Sequence, residues 1–367
     1  MKVAIVHDWL NQMGGAEAVL EALVEIFPGA PVYTSIFWRG GMPSAYSRWD
    51  VRTTWMDRLP GIYWHHQPYL LLYPLAFGQL TLHGYDLVIS NKSAFCLGVH
   101  TPPETVHVCY CLTPTRFVWQ LDAYAEREQV GHLATRAVRL FLPWLQAWEH
   151  AAAQRVTSFV GISREVQARI QRLYGRESTL VYPPVRTGQL APGGKPGDYF
   201  LIVSRLIPYK RIDLAVESFN RLGLPLWIVG DGRNRQQLQE AAGPTIRFLG
   251  RVDDAEKARL MAGCRAFVFP GLEDFGIAPV EAMAAGRPVI AYAGGGALDS
   301  VVDGVTGLFF ADQTADSLVD AVHRFDDAAF DPDVIRAHAE RFDERVFRDD
   351  LRSVIKQVIN RAGTSRE

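Results

Sequence analysis

Short apolar runs rich in β-branched residues alternate with amphipathic stretches along the whole chain. VAIVHDW (3–9) precedes GGAEAVLEALVEIF (14–27), and YDLVISN (85–91), TVHVCYC (105–111) and SFVGIS (158–163) follow. The second half repeats the rhythm: YFLIVSRL (199–206), RIDLAVESFNRL (211–222), PLWIVGDG (225–232), NRQQLQEAA (234–242), IRFLGRV (246–252), AFVFPG (266–271) and PVIAYAGG (288–295). Runs apolar on both faces, separated by helical stretches and glycine turns, predict parallel sheets covered on both sides. Prolines and glycines crowd together in VYPPVRTGQLAPGGKPGDYF (181–200), and a new strand begins directly after it. That is the expected domain boundary. The reading is α/β: two doubly wound Rossmann-like domains, 1–184 and 185–343, then a helix at 344–367.

In open α/β sheets, ligands bind beyond the carboxyl ends of strands, and anions sit at the N-termini of the helices that follow. Four turns qualify. Gly14 and Gly15 open the first, where backbone can approach a ligand, although a tight strand-to-helix turn explains them equally well. SRLIPYKRID places Arg205 and Lys210 five residues apart around Pro208, which suits a diphosphate or merely a solvated basic loop. IVGDG is a third strand end.

The fourth is EDFGIAPVE, with Glu273 and Glu281 at its ends. Glu273 is expected in the loop after AFVFP. Pro279 suits the first turn of a helix, which would place Glu281 near the helix start and beside its dipole. Gly276 allows the turn, leaving the amides of Phe275, Gly276 and Ile277 to face a ligand. Two carboxylates around such a turn can grip the two hydroxylated ends of a molecule with an anionic middle. Nucleotide sugars have that layout.

Length and charge narrow the picture. A chain of 367 residues exceeds one core, and a net charge of -2 argues against a general nucleic-acid binder. MKVAIVHDWL is too short and too polar for a signal peptide, and no run approaches a membrane span. Cys96, Cys109, Cys111 and Cys264 do not form a disulfide framework, so a reducing compartment, the cytoplasm, is expected. His107, Cys109 and Cys111 alternate on one strand face, which reads as packing rather than metal binding. Asp253 and Asp254 read as helix-start residues.

These residues resemble the retaining glycosyltransferases of family 4. The likeness rests on EDFGIAPVE continued by AMAAGRPVIA, on SRLIPYKRID, and on GRVDDAEKARLMAGCRAFVFPG and GGGALDSVVDGVTGLFF on either side. It is strong from 200 to 311 and looser before. HDWL…GGAE and YCLTPTRFVW are similar to a bacterial subgroup of mannosyltransferases that build O-antigen and related polysaccharides. The resemblance implies the GT-B fold, with two Rossmann-like domains facing each other across a cleft, the first binding the acceptor. The last helix would pack back on that domain. It implies that Glu281 holds the nucleoside ribose and Glu273 the donor sugar, beside the backbone of Phe275 to Ile277. Arg205 and Lys210 would stabilise the leaving diphosphate, aided by Gly14 and Gly15, with Arg251 and Val252 against the base. No metal is then required. The implied reaction moves a hexose, mannose from GDP-mannose, onto a saccharide acceptor, with same-face attack. The alternatives are a UDP-sugar transferase of the same fold and a catalytically silent nucleotide-sugar-binding scaffold. A dinucleotide oxidoreductase lacks its G-x-G-x-x-G turn here. Leu112 departs from the family, which often has a histidine there facing the donor sugar. His107, His100 and His7 are the possible substitutes.

Eight of the nine tryptophans lie before residue 150. Trp38, Trp49, Trp55 and Trp64 are interleaved with Arg39, Arg48, Arg52 and Arg58. That composition suits an anionic bilayer surface, a stacked sugar acceptor or an aromatic-rich core. A lipid-linked acceptor with peripheral membrane contact would reconcile the first two.

Overall fold

The computed structural model describes residues 1–122, 125, 131–192 and 194–364. They form two compact units, the first holding the described residues up to Pro184 and again from Phe347, the second spanning Val185–Val346.

The first unit is built on a seven-stranded parallel sheet. Its strands are β1 (Val3–His7), β2 (Val32–Thr34), β3 (Val51–Thr53), β4 (Leu87–Lys92), β5 (Val106–Cys111), β6 (Ser158–Gly161) and β7 (Ser178–Leu180), in the order β3-β2-β1-β4-β5-β6-β7. β4 and β5 are buried along their whole length, as strands covered on both faces must be. The helix Gly15–Ile26 follows β1. The helix Arg164–Tyr174 starts on the Ser163 cap and ends at Gly175, whose φ of 65° only glycine adopts without strain. Phe347 of the terminal helix meets the Tyr110 ring edge-on, with centroids 5.5 Å apart.

The second unit holds a six-stranded parallel sheet: β8 (Phe200–Val203), β9 (Leu226–Val229), β10 (Ile246–Gly250), β11 (Phe267–Phe269), β12 (Val289–Tyr292) and β13 (Gly307–Phe310), ordered β10-β9-β8-β11-β12-β13. Each sheet reverses its strand order once, between β1 and β4 in the first and between β8 and β11 in the second. Those reversals are where doubly wound sheets open a crevice. The loop carrying Arg205 and Lys210 leaves β8, and the loop carrying Glu273 leaves β11. The fold thus brings the two sequence motifs to one switch point.

β2, β3, β7 and β13 are strands that the hydrophobic pattern does not announce. Each has only three or four residues, and β3, β7 and β13 are sheet edges, so none carries a long apolar run.

Candidate functional site

Lys210 and Glu273 form an ion pair across the switch point, and both side chains are largely buried. Pro208–Lys210 is a single 3-10 turn that aims the lysine there. Gly271 makes the approach possible: a Cβ at that position would lie 3.0 Å from the Lys210 carbonyl oxygen. Arg205 and Lys210 are joined through Tyr209. Arg205 Nη2 donates to the Tyr209 hydroxyl at 3.0 Å, and Lys210 Nζ lies 5.2 Å from the centre of the same ring. The next residue, Arg211, is the one described non-glycine residue with positive φ, at 53°. Such strain persists only where surrounding structure enforces it.

Glycines hold the loops in register by backbone contact. A Cβ at Gly230 would collide with the Ser204 carbonyl, and one at Gly232 with the Leu206 carbonyl, so the IVGDG turn lies flat on SRLI. Gly295 and Gly296 do the same for the other loop. A Cβ at Gly295 would strike the Glu273 carbonyl and one at Gly296 the Phe275 backbone, while Gly296 N–H donates to the Glu273 carbonyl at 2.9 Å. The GGG triplet therefore fixes the loop on which Glu273 stands.

The helix Ile277–Ala284 starts from Gly276 at φ 88°, and a Cβ there would lie 2.6 Å from the Phe269 ring. Its first-turn amides have no carbonyl within the helix to bind. Phe275 is buried, its ring 5.6 Å from that of Phe342. Pro279 lies in the first turn, as expected, but Glu281 does not. It is the fifth helical residue, beyond the reach of the N-terminal dipole. Its charge is answered instead by Lys257, with Nζ 2.9 Å from Glu281 Oε1 and 3.5 Å from Asp254 Oδ1. Burial works against the Lys257 charge, but Glu281 and Asp254 outweigh it and raise the ammonium pKa. Nothing in the sequence singles out Lys257, because a lone lysine on a polar helix has the pattern of a solvated face. Asp253 caps that helix, accepting from Glu256 N–H at 2.8 Å. Arg251 is exposed and Val252 half-buried just before the cap.

In the first unit, Gly14 caps the helix Gly15–Ile26 with extended backbone. The buried Glu17 carboxylate lies beneath it, 3.4 Å from His7 Nε2. His7 Nδ1 is 3.2 Å from Asn91 Nδ2, so His7 is committed to this buried set. Asp8 is fully buried, and its carboxylate accepts from the N–H groups of Ser93, Ala94, Phe95 and Cys96 and from Ser93 Oγ. It stitches the end of β1 to the loop after β4. His107 is buried against Ser90 Oγ at 2.7 Å, and burial pushes its pKa down to about 4. Neither His7 nor His107 is exposed to take the place of a histidine at Leu112, whose own side chain is buried. His100 is exposed, on the loop before β5.

Lys92 ends β4 in full burial. Its Nζ lies 2.8 Å from Glu149 Oε1 and donates to the Thr113 carbonyl and Thr115 Oγ1. Glu149 also accepts from Thr115, Tyr174 and Trp119 Nε1. This saturated network anchors the segment YCLTPTRFVW.

Residues 191–334 match the family model "Glycosyl transferases group 1". Over 184 residues the chain is 37% identical to a GDP-mannose-dependent alpha-mannosyltransferase of Mycolicibacterium smegmatis, covering 48% of this chain and 45% of that protein. Over 159 residues it is 36% identical to a glycogen synthase of Pseudomonas aeruginosa, covering 41% of this chain and 30% of that one. The chain thus spans less than half the length of these curated relatives. Among solved structures, HepE of Anabaena in complex with UDP superposes over 97% of this chain and 100% of its own, with a TM-score of 0.69 at 17% identity. Sucrose-phosphate synthase of Thermosynechococcus elongatus gives 0.70 at 17% identity, over 97% and 99%. The fold is that of these two-sheet α/β structures, GT-B, and residues 191–334 are similar to the group 1 glycosyl transferases.

Proposed function

We propose that the chain is a retaining glycosyltransferase that moves a hexose, mannose from GDP-mannose, to a saccharide acceptor carried on a lipid. The Lys210–Glu273 pair at the β8/β11 reversal carries this reading, because it sets a cation and a hydroxyl acceptor side by side. As the anomeric bond breaks, the sugar becomes oxocarbenium-like and the diphosphate gains charge. Lys210 and Arg205 neutralise that charge, and the amides around Gly276 add their dipoles. Glu273 holds the sugar hydroxyls and Glu281 the ribose, with Arg251 and Val252 against the base. These cations supply the charge stabilisation that a divalent metal gives in other transferases, so the reading requires none.

The mannose and GDP assignments draw on the names of the relatives: the mycolicibacterial mannosyltransferase and a phosphatidyl-myo-inositol mannosyltransferase of Mycobacterium leprae, 50% identical over 70 residues. The UDP held by HepE and the glycogen synthase match favour the second reading, a UDP-sugar donor on the same residues. Among the described residues no helix is long and apolar enough to cross a membrane. Peripheral contact with an anionic bilayer is part of the proposal, supported by the exposed Leu140, Phe141 and Trp144 on the helix His132–Arg155, with Arg136 beside them. Transfer of radiolabelled mannose from GDP-mannose to a bacterial glycolipid extract tests the activity. Binding of the nucleotide without transfer or hydrolysis would favour the silent scaffold.

A further inference from the structure

The loops that leave β1 and β2 carry an aromatic corner that the donor site does not use. Leu10 and Trp38 are joined by backbone hydrogen bonds, Leu10 N–H to the Ile36 carbonyl and Trp38 N–H to the Leu10 carbonyl, so the two loops run together. Trp38 lies 5.8 Å from Trp64 at 65° and 6.5 Å from Tyr63, nearly parallel to it. Gly41 seats the Trp38 indole, since a Cβ there would collide with the ring. Trp64 is 62% exposed, far more than a core tryptophan. Behind these rings Trp9 lies 4.8 Å from His66, the two rings tilted by 43°.

Two polar atoms in the corner are buried without a hydrogen-bond partner: Asn11 Oδ1 and His66 Nδ1. The Asn11 amide is fixed by its Nδ2, which donates to the Tyr63 carbonyl at 3.1 Å. An orphaned buried acceptor costs free energy, and native proteins rarely keep one without a use. Burial pushes the His66 pKa down to about 4, so the ring is neutral at pH 7 and one nitrogen can accept a hydroxyl proton.

We propose that Trp38, Trp64, Asn11 and His66 form a subsite for a pyranose ring. A pyranose presents an apolar C–H face to an aromatic plane and hydroxyls around its rim to acceptors. An exposed indole beside unpaired oxygen and nitrogen acceptors matches both demands. The position agrees, because the corner lies beyond the carboxyl end of β1, next to the β1/β4 reversal. The subsite deepens the transferase reading by naming residues for the acceptor sugar. Its binding of saccharide is a property of the first unit alone.

The test is saturation-transfer NMR and tryptophan fluorescence on the full chain with methyl α-D-mannopyranoside, methyl α-D-glucopyranoside and methyl α-D-galactopyranoside. At least one glycoside should bind. Trp64→Ala, an exposed site where folding is not at risk, should weaken that binding by about tenfold, and His66→Gln by several-fold. GDP and UDP affinities should be unchanged in both variants. Failure of all three glycosides to bind wild-type protein, or equal binding by Trp64→Ala, overturns the subsite. A fluorescence shift on vesicles of anionic phospholipid with no response to the glycosides also overturns it, assigning the corner to a bilayer. Loss of nucleotide binding by the wild type would count against the transferase reading, leaving the glycoside result to stand or fall by itself.

Discussion

Glu281 Oε1 lies 2.9 Å from Lys257 Nζ, and the pair joins the helix Ile277–Ala284 to the helix Asp254–Gly263. The second glutamate of the motif is thus held by a lysine, as the first is by Lys210. A carboxylate pinned on one oxygen keeps the other oriented for a ligand hydroxyl. Glu281→Ala is expected to weaken nucleoside diphosphate binding by roughly 10- to 100-fold. Lys257→Met should do so by less, about tenfold. Calorimetric titration of both variants checks this, and unchanged affinity in Glu281→Ala would remove the residue from the site.

In the proposed reaction Lys210 faces the developing leaving-group charge, so its removal should slow chemistry more than binding. Lys210→Ala is expected to lower kcat by about 100- to 1000-fold with a smaller change in donor KM. Tyr209→Phe deletes the hydroxyl that Arg205 grips but keeps the ring beneath Lys210, so a loss of only several-fold is expected. Steady-state kinetics separates the two.

The GGG triplet offers a test at the backbone level. Gly296→Ala drives a Cβ into the Phe275 backbone and should abolish nucleotide binding and lower Tm. Gly188→Ala, where a Cβ meets nothing within 4 Å, should leave both unchanged.

Lys92 and Glu149 are both buried, and each is saturated with partners. Breaking such a pair strands a charge. Lys92→Met is expected to destabilise the protein by about 3–5 kcal/mol, measured by urea denaturation. A change below about 1 kcal/mol would show that the network is not anchoring the β4 end.

Acid sensitivity should follow His107. Burial lowers its folded pKa to about 4, against the usual 6.5, so the unfolded chain binds the extra proton first. Stability is then full above pH 6.5 and falls as pH drops from 6.5 towards 4. Denaturation midpoints measured across that window should fall with pH, and His107→Gln should flatten the decline relative to wild type.

Much of the candidate site is legible in the chain because its parts are local. EDFGIAPVE, SRLIPYKRID and the glycine turns announce strand ends, and parallel topology carries strand ends to one edge. What could not be read were the pairings across loops. Nothing local links Lys257 to Glu281, Tyr209 to Arg205, or Gly296 to Phe275, because those contacts depend on the switch-point geometry. The dipole reading of Glu281 failed because the helix begins two residues before Pro279. The aromatic stretch was ambiguous for a similar reason: Tyr46 and Tyr73 became core, whereas Trp64 stayed exposed, and composition does not separate them.

The measurement closest to the central claim is calorimetric titration of the wild-type chain and Glu281→Ala with GDP and UDP. Binding of one nucleotide in the micromolar range, weakened at least tenfold by the substitution, is the expected result. Selective GDP binding would support the mannosyl donor and selective UDP binding the second reading. Absence of binding to either nucleotide, or equal affinity in the variant, would contradict a donor site built on Glu273 and Glu281.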